Sequence, residues 1–359
     1  MNQRNLLILV GALALVALAV LLLDRGGQRQ LDEGDLLLPG LSESLNDVSE
    51  VVLRRSGNAV MVTLAQTADG WVVSDRGNYP ANFSRLRQNL RGLAEARIFE
   101  SKTSNPEFYE RLGVRDINDS LATGTEFTIT SPTVSAQVIV GRTDEGGGKL
   151  AYVRKTGEEQ SYLVKASLDP GQGPNDWLDS ALLDIPSTRI RSAQIRHPDG
   201  EILAVAKPRS DSVNYTVADI PAGRSLSYEG AANSIGAALA GLTLDDVEPT
   251  GDFEPGEVQP VLASFETFDG LRVDVQTWEL ADGERRVAFA ATAQAPAEVA
   301  APAETEAAEA GPVDAAEVAR IADEAADITK RLGRWIYTVP SFKSDQFTRR
   351  MNDLLAAPE

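Results

Sequence analysis

The chain predicts an α+β protein: an N-terminal transmembrane helix followed by two tandem, similar α+β domains with antiparallel sheets. Three observations lead there. Leu6–Leu23 is an unbroken apolar run. Short runs of alternating apolar and polar residues, separated by Gly, Pro, Asn and Ser turns, fill most of the chain beyond it. The order of those runs then restarts near Leu182.

At 1.5 Å per residue the apolar run is about 27 Å long, close to the hydrocarbon thickness of a bilayer. Arg4 and the terminal amine precede it. Residues 1–5 are therefore expected in the cytoplasm and the bulk of the chain outside, periplasmic where the cell has an outer membrane. The triplet Ala17-Leu18-Ala19 has the form of a signal-peptidase site, but Val20–Leu23 prolongs the run beyond it. That favours an uncleaved anchor at 6–23. A polar tether, 24–35, leads to the first domain, 36–186, and the second is 187–359.

In the first domain, Val48–Arg54 and Ala59–Leu64 flank Ser56-Gly57-Asn58 as a hairpin, which Trp71-Val72-Val73 extends. Asn82 or Ser84 can cap a helix with Leu86, Leu90 and Leu93 on one face and Arg85, Arg87 and Arg91 on a solvated one. Asn105–Leu112 reads as a short helix closed by Gly113. Glu126–Thr130, Ala136–Val140, Leu150–Arg154 and Gln160–Val164 form an antiparallel meander. Asn175 then caps a short helix holding Trp177, Leu178, Ala181 and Leu182.

The second domain repeats this order. Ile190–Arg196 takes the place of Val48–Arg54, and Tyr215–Asp219 that of Trp71–Asp75. A helix with Ile235, Leu239 and Leu242 comes after Pro221. Val261–Phe268, Leu271–Leu280 and Arg285–Ala291 repeat the meander, Trp335–Val339 closes it, and a helix from Ser344 through Leu355 ends the chain. The Ala/Pro/Glu-rich insertion 292–313 has too few large apolar side chains, Val299 foremost, to order itself, and is expected to be disordered. Asp314–Leu332 after it reads as an amphipathic helix.

Composition excludes several function classes. With 34 basic against 53 acidic groups the net charge is −19, a field that repels phosphate backbones, so nucleic acid is not expected as a partner. There is no cysteine and one histidine, which leaves thiolate chemistry and transition-metal sites almost without material. His197 sits in a His-Pro-Asp-Gly turn, and no Gly-x-Ser-x-Gly elbow accompanies it. Asp144–Lys149 lacks the first Gly and the Ser/Thr of a phosphate loop. Asp245-Asp246 and Asp323-Glu324 are adjacent pairs on helices or their ends, and neighbours on a helix point about 100° apart. Neither pair converges on one bond by itself. No catalytic, cofactor-binding or metal-binding residue is singled out, and no cofactor. Trp71, Trp177 and Trp278 are the candidate lining of a groove between the domains.

A set of landmarks brings a family into view. They are Leu37-Leu38-Pro39-Gly40-Leu41, Gly70-Trp71, Tyr79-Pro80-Ala81, Asn105–Tyr109 with Leu112-Gly113, and Asp176-Trp177-Leu178 with Leu182–Ile185. Together with the basic-then-apolar N-terminus they resemble the family of domain of unknown function 4340. The likeness is strongest between Leu37 and Ile185. It implies a membrane-anchored bacterial envelope protein, associated with gliding-motility-type ABC transport components, and brings no catalytic residues with it. The expected function is thus a non-enzymatic, extracytoplasmic accessory or scaffold protein of an ABC-type transport or envelope system. It would be single-pass in the inner membrane beside a membrane complex. An extracytoplasmic solute- or glycan-binding module is the alternative, and a carboxylate-based envelope hydrolase the third.

Overall fold

A computed structural model describes residues 32–143, 149–294 and 315–357, which fold as mixed α+β with antiparallel sheets and few helices. Contacts divide the chain into two compact units. One holds the residues up to Ser74 with Ala81–Trp177; the other holds Asp75–Pro80 with everything from Leu178 on.

The first unit opens with β1 (Glu50–Arg55) and β2 (Ala59–Thr67), an antiparallel hairpin extended by β3 (Gly70–Val73). Gly57 and Asn58 turn it in the left-handed region, at φ +70° and +58°. The next strand, β4 (Tyr79–Pro80), belongs to the second unit. Helix α1 (Phe83–Ala94) starts where the Asn82 side chain accepts the Arg85 N–H at 3.1 Å, and it buries Leu86, Leu90 and Leu93. β5 (Arg97–Ser101) comes next. A 3-10 turn at Pro106–Phe108 runs into α2 (Tyr109–Leu112), which Gly113 closes at φ +73°. The meander is β6 (Thr125–Thr130), β7 (Ser135–Thr143), β8 (Leu150–Lys155) and β9 (Ser161–Lys165). Across the sheet the strands run β3-β2-β1-β6-β7-β8-β9-β5.

Arg154 on β8 is the buried polar centre of this unit. Its guanidinium donates to the Val114 carbonyl at 2.9 Å, the Glu158 carbonyl at 2.8 Å and the Asp116 carboxylate at 2.6 Å. It also lies 4.6 Å from the Tyr109 ring. One side chain thereby ties the α2 segment and the β8–β9 turn to the sheet. Tyr109, Val114, Ile117, Ala122 and Ile139 form the apolar cluster beside it.

The second unit contains β10 (Ala181–Leu183), β11 (Ile190–Arg196), β12 (Ile202–Ala206) and β13 (Thr216–Val217), then α3 (Asn233–Gly236), β14 (Leu242–Thr243) and β15 (Asp246–Pro249). β16 (Val261–Thr267), β17 (Leu271–Glu279) and β18 (Arg285–Ala293) form its meander. α4 (Ala315–Leu332), β19 (Trp335–Thr338), α5 (Ser341–Phe347) and α6 (Met351–Leu354) complete it. The sheet order is β13-β12-β11-β16-β17-β18-β19-β15, with β10 paired to β14 separately. With β4 left aside, this order matches that of the first unit's eight strands position by position.

A run of aromatic contacts forms the second core. Tyr79 meets Trp335 and Tyr337 edge-on with ring centroids 5.1 and 6.3 Å away, and Tyr337, Phe289, Phe347 and Phe265 continue the chain of rings. Burial pushes the phenols of Tyr79 and Tyr337 well above their ordinary range.

Several expected elements differ. Ala181–Leu183 is a strand rather than helix, because it pairs with β14; the division between units accordingly falls after Trp177, not at 186. The helix expected through Ile235, Leu239 and Leu242 is one turn long, and Leu242 enters β14. The C-terminal helix is two short helices, α5 and α6. β18 extends through Ala293, so the expected insertion 292–313 begins as strand, and its residues from 295 lie outside the described residues. The expected anchor 6–23 and residues 144–148 also lie outside them. Among the described residues no helix is long and apolar enough to cross a membrane.

Candidate functional site

One face of α1 looks onto the β2–β3 end of the first sheet. Phe83, Arg87, Leu90 and Arg91 share that face, spaced four, seven and eight residues from the first. Opposite them stand Trp71 of β3, Gln66 of β2 and the segment carrying Leu45 and Val48. Together they enclose a groove of about 670 Å³, within the range of small-ligand sites. Its floor is apolar: Val48 and Leu90 are buried, Leu45 and Trp71 half-buried. Phe83 is 53% exposed at the edge of the groove.

The rim is charged. Arg91 donates to Glu95 at 2.8 Å, and Asp69 stands at the strand end. Arg87 lies 6.0 Å from the Phe83 ring and pairs with no carboxylate among the described residues. Arg85 differs from the solvated position expected of it: it turns back to Asp169 at 2.5 Å and lies 6.0 Å from the Trp177 ring.

The three tryptophans have different surroundings. Trp71 lines the groove within the first unit. Trp177 is 0% exposed, its indole N–H donating to the Pro170 carbonyl at 3.2 Å and its ring edge-on to Phe127, so it is a core residue. Trp278, half-buried on β17, packs edge-on against Phe253 at 5.1 Å. The leucine spacing of α1 locates the helix, yet it leaves Phe83 and Arg87 of the groove as mere neighbours of the core face. An aromatic residue at the first helical position, three and seven residues before Leu86 and Leu90, is the one local signal for them.

Other polar groups have structural partners. His197 is buried, its Nε2 3.2 Å from the Arg349 carbonyl, and its backbone closes the expected turn. Asp246 begins β15 rather than ending a helix, and it receives the Arg76 guanidinium at 2.7 Å. Glu324 on α4 receives Arg189 at 2.6 and 2.7 Å, while Asp323 faces solvent. Asp116 and Glu126 line one concavity of about 390 Å³. There Asp116 holds Arg154, and Glu126 accepts the Thr156 hydroxyl at 2.6 Å. Among the described residues, each carboxylate displaced from its ordinary range is displaced downward. The Leu121 N–H and Arg115 lower Asp119, and the Glu201 N–H and Arg350 lower Asp199. Burial opposes ionisation of Asp269, but Thr267, Arg189 and Arg320 outweigh it. Among the described residues no three carboxylate or imidazole groups gather to hold a metal ion.

Fold and site together describe an α+β protein of two compact units, one of which carries an amphipathic groove. The chain belongs to the family of domain of unknown function DUF4340, whose profile matches residues 71–258, just over half its length. That match continues well beyond Ile185. No curated protein and no solved structure matches the chain.

Proposed function

We propose that this is a non-enzymatic, membrane-anchored accessory protein of an ABC-type transport or envelope system. Its two α+β units, tandem copies of one plan, work on the extracytoplasmic side as a binding and scaffolding surface. The observation that carries the reading is the groove of the first unit. It is larger and more apolar than the ion-paired concavities at the β11–β12, β15 and Asp116–Glu126 positions, which supports a binding role. The matching strand orders support duplication, and the apolar run at 6–23 supports the anchor.

A photo-crosslinking side chain at Glu95, on the groove rim, tests this in native membranes. The expected product is an adduct with a subunit of a membrane complex. Recovery of the chain from the soluble fraction, uncrosslinked, would refute it. The half-buried Trp71 favours a second reading, in which the groove holds a solute.

A further inference from the structure

We propose that the groove between α1 and the β2–β3 end binds the acyl chain of an anionic amphiphile, with Arg87 meeting its carboxylate or phosphate headgroup. This rests on the groove being a binding site and names the ligand class it would take.

Hydrogen-bonding capacity decides between an acyl chain and an extended peptide. The floor offers Val48, Trp71, Phe83 and Leu90 side chains. The nearby strand edge is already used: the Trp71 carbonyl accepts the Ala81 N–H at 2.9 Å. The α1 backbone is bonded within its own helix. An extended peptide laid there would bury N–H and C=O groups without partners, at a cost an acyl chain does not incur.

Charge supplies the headgroup's sign. Arg87 stands on the apolar rim with no carboxylate partner among the described residues. Its helical neighbours are occupied, Arg85 by Asp169 and Arg91 by Glu95. Asp69 and Glu95 are the acids of the rim, and Glu95 is paired with Arg91, which leaves Arg87 as the groove-lining cation for a headgroup among the described residues. The helix face from Phe83 to Glu95 is about 18 Å long, enough for a medium-length chain.

The test uses the full chain in phosphatidylcholine nanodiscs with three diazirine-bearing probes of equal chain length: dodecanoate, dodecyl phosphate and dodecyltrimethylammonium. Adducts are mapped by mass spectrometry. The anionic probes are expected to label the peptides containing Trp71 and Phe83–Leu90 at least fivefold more than the cationic one. Labelling by only one of the two anions would support the proposal and say whether a fatty acid or a phosphorylated lipid is the source. Arg87→Gln should lower anionic labelling five- to tenfold, and Arg91→Gln, whose guanidinium is already paired, less than twofold. Equal labelling by all three probes, or no effect of Arg87→Gln, overturns the proposal. If the acyl probes leave the groove unlabelled while the Glu95 crosslinker captures a protein, the ligand class fails and the binding groove stands. If neither labels, both fail.

Discussion

Replacing Arg154 by Met preserves most of the side-chain volume and removes the charge, which isolates the polar contribution of one buried residue. The Val114 carbonyl loses its 2.9 Å donor in a fully buried setting and the Glu158 carbonyl its 2.8 Å donor in a partly buried one. Leaving such groups unpaired costs about 1–3 kcal/mol each. The cation over Tyr109 at 4.6 Å adds about 1 kcal/mol, and the pair with Asp116, whose side chain is 56% exposed, adds little. The sum is a loss of about 4 kcal/mol. Urea unfolding followed through the fluorescence of buried Trp177 reads it: with a slope of about 2–3 kcal/mol/M, the first unit's midpoint should fall by roughly 1.5–2 M. Arg154→Lys should recover only the ring contact, since a single ammonium cannot serve three acceptors in a fork. A midpoint shift below about 0.5 M for Arg154→Met would refute the assignment of Arg154 as the tie between sheet and loops.

Three further outcomes can be checked in the second unit. Gly236→Ala places a Cβ 2.2 Å from the buried Tyr215 ring, so thermal unfolding should show a loss of about 2–3 kcal/mol, part of which returns with Tyr215→Leu. Tyr79→Ala removes the ring between Trp335 and Tyr337 and should cost about 3–4 kcal/mol in calorimetry, against about 1 kcal/mol for Tyr79→Phe. Asp269 is lowered in the folded state, so its contribution is complete above the unfolded carboxylate value, about pH 4, and disappears as pH falls through the folded one. Urea midpoints should therefore drop on acidification below about pH 4, with a shallower dependence in Asp269→Asn; an unchanged slope in that variant would count against the Arg189–Asp269–Arg320 network.

Local chemistry makes much of this fold readable. Gly57-Asn58 between two apolar runs specifies the first hairpin, Asn82 the start of α1, and Gly113 the end of α2, because each acts through its own backbone neighbours. The failures lie where distant partners decide. Ala181–Leu183 has an apolar spacing compatible with a helix, and only its pairing with β14 makes it a strand. Arg97–Ser101 and Asp246–Pro249 carry too few apolar residues to read as strands, and they are edge strands held by β9 and β19. The site is legible in part. Trp71 stands out in the sequence, but so does Trp177, whose burial between Phe127 and the Pro170 carbonyl no local pattern announces. Phe83 and Arg87 line a groove that exists only once α1 and the sheet have met.

The assignment of Asp75–Pro80 to the second unit constrains how the chain is made and cut. Tyr79 is synthesised early, yet its ring partners Trp335 and Tyr337 emerge more than two hundred residues later. At about 5–20 residues per second, that is roughly 15–50 s during which the segment has no core to enter. The second unit therefore cannot finish folding on the ribosome before nearly the whole chain is out. A cut after Trp177 does not yield two complete bodies: the N-terminal piece carries a stranded tyrosine, and the C-terminal piece has a ring-sized hole where it belongs. A fragment meant to represent the second unit must bring residues 75–80 with it, as a fused strand or an added peptide.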